Sequence, residues 1–179
     1  MILGPQKLLE LVKKINLVTN LSERELTNPE GAGFDLRIGE VYKIKGSAFL
    51  GEEERKTPDV VLVKKYEEGK KNKIVIKPGD FYLTKTIEDV NMPDDLTASI
   101  TPRSTTYRSG LVLRTGNVPP GYCGGLTFGL TNEGPVNVTI EMGARFVHIQ
   151  FSEVMGKGNM YRGQWQGGRV SATKKEKQV

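Results

Sequence analysis

The sequence of 179 residues contains one cysteine, Cys123, and one histidine, His148. A single cysteine excludes an intrachain disulfide, and the two residues cannot supply a zinc site built from several cysteine and histidine ligands. A catalytic cysteine–histidine pair would have to consist of these two residues. His148 lies in the apolar run FVHIQF, which is more typical of a core or subunit-interface residue than of a catalyst.

Long hydrophobic runs are also lacking. No run approaches the ~20 apolar residues that span a bilayer, and the first residues lack the basic, apolar and small-residue order of a signal peptide. We therefore expect no membrane partner and a cytoplasmic location. Neither a P-loop motif nor G-x-G-x-x-G occurs, which argues against P-loop and dinucleotide-binding folds.

Basic residues outnumber acidic ones, 26 to 21, and give a formal charge of +5. Part of this excess lies at residues 169–179, for which the sequence predicts a flexible basic tail. A modest positive charge suits a nucleic-acid binder or a phosphate-binding enzyme. No stretch interleaves several aromatic residues with lysine and arginine as a single-strand binder would, so we expect no nucleic-acid partner.

The only strong helical pattern lies near the N-terminus. Leu8, Leu11, Val12 and Ile15 recur at helical spacing within PQKLLELVKKINLV, and Pro5 suits the first turn of a helix. The sequence therefore predicts a helix over residues 5–16.

The rest of the chain is patterned as short strands. Alternating or apolar runs are separated by turn signals such as KPGD, NMPDD, NVPPGY and NEGP. DVVLVKKY and KIVIKP flank the turn EEGKKN and predict a hairpin, and GEEERKTPD at 51–59 predicts an exposed loop. These features favour one mainly β domain over residues 1–168, a distorted β-barrel or jelly roll with one N-terminal helix.

The stretch TPRSTTYRSG, residues 101–110, is the first candidate for chemistry. It places two arginines, several hydroxyl groups and a tyrosine between two predicted strands. The planar guanidinium group matches phosphate oxygens, and serine or threonine hydroxyls with turn N–H groups can complete a phosphate cradle. A polar hairpin loop explains the same composition.

A second candidate is the turn TGNVPPGYCGG, residues 115–125. Pro119 and Pro120 fix two φ angles and remove two N–H donors, whereas Gly121 permits a positive φ. Gly124 and Gly125 allow a ligand or a neighbouring subunit to approach the backbone closely. Further on, residues 156–168 include the glycine- and amide-rich YRGQWQGG and predict a mobile lid that orders over a ligand.

The order of several motifs resembles that of the dCTP deaminase and dUTPase superfamily. The motifs are AGFDL, PRSTTYRSG, GNVPPGYCGGLTFGLTN, MGARFVHIQF and YRGQWQGG, and the resemblance covers most of the chain to about Gly168. The opening helix and the stretch FYLTKTIEDVNMPDDLTASITPRS are similar to the deaminase branch. The family's arginine–serine pair is matched by Arg103 and Ser104, and the deaminase branch's second arginine by Arg108.

The resemblance implies a homotrimer with active sites at subunit interfaces. The substrate would be dCTP or dUTP, with Mg²⁺ carried on its phosphates, no direct metal ligands from the protein and no zinc. Either reaction, deamination of dCTP or conversion of dUTP to dUMP and diphosphate, is a hydrolysis.

The resemblance also implies the residues of the site. Arg103, Ser104, Thr105 and Arg108 would hold phosphates or orient the attacking water, and the GNVPPGY hairpin would receive deoxyribose and base over Tyr122. Gln150 and the C-terminal Tyr161, Gln164 and Gln166 would close over the triphosphate. The implied substrate-binding residues are Arg103, Ser104, Thr105, Arg108, Gly116, Tyr122, Thr127, Gln150, Tyr161, Gln164 and Gln166, and Ser104 and Arg108 belong to the implied catalytic group.

Two positions depart from the family pattern. Pro119 stands where the dUTPase branch has an aspartate that positions water, and Gly129 where the deaminase branch has a glutamate that shuttles protons. A missing general base typically lowers the rate by ~10²–10⁴-fold. Asp35 is the preferred replacement acid, although a carboxylate tied to turn N–H groups explains it equally. Glu133 and Glu141 lie in predicted turns and are expected to be solvated.

Three hypotheses follow. The chain is a dCTP deaminase-like or dUTPase-like enzyme of pyrimidine nucleotide metabolism, with Arg108 and the N-terminal helix favouring the deaminase branch. Alternatively, it is a catalytically silent relative that binds a deoxynucleotide, as the loss of both acids suggests. A jelly-roll interaction module without nucleotide is the third, which the retained phosphate motif argues against.

Overall fold

The computed structural model describes residues 1–156 and 158–177. The helices are α1 (Pro5–Ile15), α2 (Glu23–Thr27) and α3 (Ser104–Arg108). The strands are β1 (Val18–Thr19), β2 (Phe34–Lys45), β3 (Phe49–Leu50), β4 (Glu54–Lys56), β5 (Asp59–Lys65), β6 (Lys73–Ile76), β7 (Phe81–Asn91), β8 (Leu96–Pro102), β9 (Leu111–Arg114), β10 (Cys123–Asn132), β11 (Val138–Glu141), β12 (Arg145–Glu153) and β13 (Glu176–Lys177).

One large sheet forms the body of the molecule. Its strands run in the order β8-β12-β2-β7-β10-β9, with β1 on β7 and β5 on β2. All of these pairings are antiparallel. Two small sheets, β11-β6 and β13-β4-β3, complete the fold. The expectation of a mainly β barrel or jelly roll is confirmed, and no helix among the described residues is both long and apolar enough to cross a bilayer.

The N-terminal helix ends one residue before the predicted boundary. Pro5 occupies its first turn, and Asn16 caps its C-terminus in the left-handed conformation with φ 54°. The Asn16 N–H donates to the carbonyl of Val12, as is typical of a left-handed C-cap. Leu8 is the helix residue that is fully buried against the core.

Strict alternation along the central strand β7 contributes one face to the core. Tyr82, Thr84, Thr86, Glu88 and Val90 of β7 are buried while the residues between them are not. The charge of Glu88 is met by Arg37 of β2, whose Nε donates to Glu88 Oε1 over 2.6 Å. Burial raises the pKa of Glu88, and the Arg37 contact is what compensates the buried carboxylate.

Three local predictions differ from the structure. DVVLVKKY and KIVIKP do not pair with each other, because β5 pairs with β2 and β6 pairs with β11. The stretch 101–110 is not a simple loop, since it contains the single helical turn α3. The predicted exposed loop at 51–59 contains β4, which pairs with β3 and β13.

The C-terminal residues lie against the body of the domain. Within the predicted flexible tail, Ala172 is fully buried, and its N–H donates to Thr57 Oγ1 over 2.7 Å. Arg169 forms two hydrogen bonds to Glu176, which belongs to β13. Position 157 of the predicted lid and positions 178–179 of the predicted tail lie outside the described residues.

Candidate functional site

Asp35 is the centre of a buried cluster of charged side chains. It lies on β2 opposite His148 of β12, and its side chain is only 3% exposed. Its carboxylate contacts Arg103, Arg145 at 3.0 Å and His148 Nδ1 at 3.1 Å. Arg24 lies 3.7 Å away. The partners of the Asp35 carboxylate are therefore side chains and not turn N–H groups, and its role as the replacement acid stays a prediction.

A second buried acid stabilises the same cluster. Glu25 is fully buried, accepts a hydrogen bond from the Asp35 N–H over 3.0 Å and contacts Arg24. Glu30, which is largely exposed, also pairs with Arg24 at 2.9 Å. Arg24 is thus paired with two carboxylates of its own, and the Asp35 carboxylate is left chiefly to Arg103 and Arg145.

Burial and neighbouring charge set the titration of this cluster. Burial, followed by repulsion from Arg145, lowers the pKa of Arg103, so two guanidinium groups are crowded against one carboxylate. Burial also lowers the pKa of His148. Its ordinary value is about 6.5, and the imidazole is therefore neutral at pH 7. A ligand with two or three negative charges would offset the repulsion between these guanidinium groups.

The arginine–serine motif begins at the N-cap of α3. Arg103 has extended backbone angles, and its N–H donates to the Phe146 carbonyl over 3.0 Å. Thr106 is buried, and its hydroxyl donates to the same carbonyl over 3.1 Å. These contacts fix α3 to β12 and leave Ser104, Thr105 and Arg108 exposed on its outer side.

The hairpin TGNVPPGYCGG forms one wall of an apolar cavity of about 450 Å³. Gly116, Pro119 and Tyr122 line it from the hairpin, and Thr127 lines it from β10. Most other lining residues come from the sheet wall and the C-terminal segment, namely Phe81, Leu83, Ile100, Leu126, Phe128, Tyr161, Trp165, Arg169 and Val170. A cavity of this size is within the range of small-molecule sites.

Tyr122 is held rigidly at the base of the hairpin. Its side chain is buried, and its hydroxyl donates to the Gly125 carbonyl over 2.8 Å. Its ring meets that of Tyr161 edge-on, with the ring centres 5.4 Å apart. Burial, followed by the neighbouring Tyr161, raises the pKa of Tyr122 to about 12. Tyr122 therefore remains protonated and presents a neutral aromatic surface to the cavity.

The structure shows what surrounds the two departures from the family pattern. Pro119 is in the cavity wall, and Gly129 lies on β10 between Leu83 and Arg114. A Cβ atom at Gly129 would lie 3.3 Å from Cε2 of Phe81, which also lines the cavity. The ring of Phe81 thus covers the place where a carboxylate side chain would begin. Glu133 and Glu141 are exposed and pair weakly with Arg114 and Lys73.

The four predicted closing residues lie in different surroundings. Gln150 is on β12 opposite Ser99, whereas Tyr161 lines the cavity and accepts a hydrogen bond from the Trp165 N–H. Gln164 donates to Glu176 over 3.1 Å. Gln166 is bonded to the hairpin backbone, donating to the Gly121 carbonyl over 2.9 Å.

Within one chain, the cavity gathers only some of the predicted site residues. Gly116, Tyr122, Thr127 and Tyr161 meet at the cavity. No residue from 103 to 108 is among those that line it. Sequence reasoning missed Arg145, Phe81 and Trp165. Arg145 reaches Asp35 across 110 positions of sequence, and no local pattern signals so distant a contact.

The donor groups of the chain do not form a metal centre by themselves. Over residues 1–156 and 158–177, no three histidine, cysteine, aspartate or glutamate side chains are arranged to hold a metal ion. Asp35 is surrounded by cations, Cys123 Sγ contacts Asn91 and His148 contacts Asp35. A Mg²⁺ ion bound directly by side chains does not fit this donor set.

Comparison with known proteins identifies the relatives of this chain. Residues 2–154 match the family described as dCTP deaminase-like. The chain is 32% identical over 169 residues to a dCTP deaminase of Pyrococcus furiosus, covering 94% of this chain and 96% of that protein. It is 31% identical over 156 residues to a dUMP-forming dCTP deaminase of Dictyoglomus turgidum, covering 84% and 79%.

Two solved structures share the fold. 2'-Deoxycytidine 5'-triphosphate deaminase from Agrobacterium tumefaciens has a TM-score of 0.64 at 20% identity. The match covers 84% of this chain but only 47%, about half, of that one. A mutant dUTPase from phage phi11 of S. aureus, which coordinates a structural Mg(II) ion, has a TM-score of 0.51 at 16% identity and covers 80% and 94%. At these identities the likeness concerns the fold alone.

Proposed function

The chain belongs to the dCTP deaminase-like family, and from this premise we propose that it binds dCTP or dUTP and deaminates dCTP to dUTP. The observation that carries the proposal is the apolar cavity built by the hairpin of residues 115–125. Its walls are aromatic and aliphatic, as suits a pyrimidine base and a deoxyribose. In the proposal, Gly116, Tyr122 and Thr127 contact base and sugar.

The phosphates are assigned to the α3 segment. Arg103 has a side chain that is 28% exposed and is oriented by Asp35, while Ser104, Thr105 and Arg108 are exposed. Guanidinium and hydroxyl donors together match a triphosphate. Gln150, Tyr161, Gln164 and Gln166 stay in the proposal as residues near the bound nucleotide. Mg²⁺ would be carried on the phosphates, where it neutralises their charge, and no zinc is required.

A second subunit completes the site in this proposal. Ile100 of β8 is among the residues that line the cavity, whereas no residue of α3 is. A homotrimer would bring the α3 segment of one subunit to the cavity of its neighbour. Closed symmetric assemblies repeat one interface, so three subunits, each contributing residues 1–168, would form three equivalent sites.

In deamination, water adds to C4 of cytosine, and ammonia leaves after a proton is transferred to it. Ser104 and Arg108 would orient that water. No carboxylate stands at Gly129 or Pro119 to shuttle protons, and Asp35 is already held by Arg103 and Arg145. The chain's own residues thus account for binding and orientation better than for proton transfer.

This arrangement favours a second candidate, a catalytically silent nucleotide-binding relative. The specific observation is the Phe81 ring over Gly129, which leaves an apolar surface where the deaminase branch has its acid. A third candidate is hydrolysis of dUTP to dUMP and diphosphate. The dUMP-forming relative from Dictyoglomus turgidum makes that product worth measuring.

One set of assays separates the three candidates. The purified protein is mixed with Mg²⁺ and either dCTP or dUTP, ammonia and diphosphate are followed, and binding is measured by calorimetry. Ammonia from dCTP supports deamination, and diphosphate from dUTP supports hydrolysis. Binding without either product supports the silent relative. If neither triphosphate binds, the proposed function is wrong.

A further inference from the structure

Cys123, the first residue of β10, is hydrogen-bonded to the C-terminal segment through both its N–H and its carbonyl group. The Cys123 N–H donates to Gln166 Oε1 over 3.1 Å, and the Cys123 carbonyl accepts from the Gly167 N–H over 2.8 Å. The other half of the Gln166 amide donates to the Gly121 carbonyl over 2.9 Å. One side-chain amide thus occupies a backbone acceptor and a backbone donor two residues apart, as a neighbouring strand would.

The glycines of the hairpin fit this contact. A Cβ atom at Gly124, where φ is +119°, would lie 2.4 Å from the Gly168 nitrogen. A Cβ atom at Gly121, where φ is +77°, would lie 2.7 Å from Cε of Met160. At Gly124 the backbone of the chain's own C-terminal segment therefore requires glycine, whereas at Gly121 the positive φ favours glycine and Met160 packs close to it.

The same segment holds the other side of the hairpin. The Tyr161 N–H donates to the Pro120 carbonyl over 2.7 Å, and the Tyr161 ring packs edge-on against Tyr122. Residues 160–168, which we call the strap, therefore contact the hairpin from Pro120 to Gly125. On its other side the hairpin is bonded to Met92: the Gly121 N–H donates to the Met92 carbonyl over 3.1 Å, and the Met92 N–H donates to the Tyr122 carbonyl over 2.9 Å. The strap therefore adds a second set of contacts to the same residues.

We propose that Gln166 is a positioning residue that fixes the nucleoside-binding hairpin in its binding shape. The inference rests on the proposed function, because it assigns the hairpin to the base and sugar. Gln166 acts through the backbone of Gly121 and Cys123 and holds Tyr122, the residue between them, against the cavity. It is a different role from contact with the triphosphate, which the family resemblance implies for this residue.

The first test needs no nucleotide. Gln166→Met keeps the length of the side chain and removes both hydrogen bonds, so the Cys123 N–H should exchange with solvent about five- to tenfold faster than in the wild type. Gln164→Met is the matched variant, because Gln164 bonds to Glu176 and not to the hairpin. It should leave the exchange of the Cys123 N–H unchanged. Equal exchange in wild type and Gln166→Met overturns the proposal.

The second test separates positioning from phosphate contact. Deoxycytidine and dCTP, the latter with Mg²⁺, are titrated into wild type, Gln166→Met and Gln166→Glu. Gln166→Met should weaken both ligands by a similar factor, about fivefold, because both need the hairpin. Gln166→Glu keeps an acceptor for the Cys123 N–H but has no donor for the Gly121 carbonyl, so it should not restore the wild-type affinity.

One result of these titrations would contradict the positioning role of Gln166, and another would contradict the proposed function. A loss confined to dCTP, with deoxycytidine unchanged, shows that Gln166 contacts phosphate and overturns the positioning role. If the wild type binds neither compound, the proposed function is refuted instead. In that case the exchange of the Cys123 N–H still decides whether Gln166 fixes the hairpin.

Discussion

At the scale of single residues, Asp35 determines the orientation of Arg103, the first residue of the arginine–serine motif. A buried carboxylate shared by two guanidinium groups orients both and compensates neither completely. The Arg103 side chain is 28% exposed, so it can contact a ligand while it stays paired with Asp35. Orientation of Arg103 gives the Asp35 carboxylate a role that is separate from general-base catalysis.

Exchange of Arg103 for alanine tests the phosphate assignment. Arg103→Ala should weaken binding of dCTP and dUTP more than tenfold, because a charge-assisted phosphate contact is removed. Calorimetry with the triphosphates and with deoxycytidine measures the effect, and the nucleoside should bind as before.

Arg145→Ala is the matched control for that variant. It also removes one guanidinium group from Asp35, so it reproduces any loss that comes from disturbing the cluster. Equal losses of triphosphate affinity in the two variants would mean that Arg103 acts through the cluster and not on phosphate.

His148 gives the cluster a dependence on pH. Its pKa is lowered in the folded chain by burial, so the unfolded chain binds more protons as the pH falls below about 6.5. The contribution of His148 to the free energy of unfolding is fully present above about pH 6.5 and is lost as the pH falls from there to the lowered pKa of the folded chain. His148→Gln should therefore show a flatter fall in the free energy of unfolding between about pH 7.5 and 5.5.

The measurement is urea unfolding of both proteins at several pH values. The difference between the two curves isolates His148 from the other titrating groups, including Glu88, whose pKa is raised by burial. Parallel curves for the two proteins would show that His148 does not titrate differently in the folded and unfolded chains.

At the scale of elements, the hairpin and the strap depend on each other. Gly124→Ala should destabilise the protein by about 1–3 kcal/mol, because its φ of +119° is strained for alanine and its Cβ would collide with Gly168. Gly116→Ala is the control, since a Cβ there meets no atom within 4 Å. It should change the stability by less than about 0.5 kcal/mol. Denaturant unfolding of the two variants measures both effects, and similar stabilities would contradict the close approach.

The elements that the sequence predicted well are those with a strong local pattern. The apolar spacing in α1 and the short apolar runs that became strands such as β7 and β10 are set by neighbours a few residues apart, and these elements are present in the structure. The turn EEGKKN does not identify the partner of β5, because β5 pairs with β2, which also pairs with β7. The free energy gained by this arrangement depends on residues that are distant in the sequence.

The candidate site was predictable in its motifs but not in its contacts. The order of the motifs pointed to the dCTP deaminase and dUTPase superfamily, which the comparisons confirm. The pairing of Asp35 with Arg145 and the contact of Gln166 with Cys123 join residues that are distant in sequence. Polar residues in such segments have no periodicity that reveals a partner, so these contacts emerge only from the fold.

At the scale of the whole molecule, the lining of the cavity bears on assembly, because it includes no residue of α3. In the proposed homotrimer, each site takes Arg103 from one subunit and the cavity from the next. Two variants with weakened binding can then restore one another. Arg103→Ala lacks the phosphate contact, and Gly116→Phe adds a large ring at a residue that lines the cavity and has no atom within 4 Å of its Cβ position.

Mixed trimers of these two variants provide the test. After the two proteins are unfolded together in equal amounts and refolded, about a quarter of the sites should combine an intact Arg103 with an intact cavity, if subunits associate at random around a threefold axis. Calorimetric titration with dCTP should therefore recover about a quarter of the wild-type number of high-affinity sites, whereas each variant refolded alone should give no site of wild-type affinity. If Arg103 and the cavity of the same chain formed the site, no mixture could contain an intact one, and recovery would be absent. The stoichiometry of the mixture thus distinguishes a site shared between subunits from a site within one chain, whether or not the bound nucleotide is turned over.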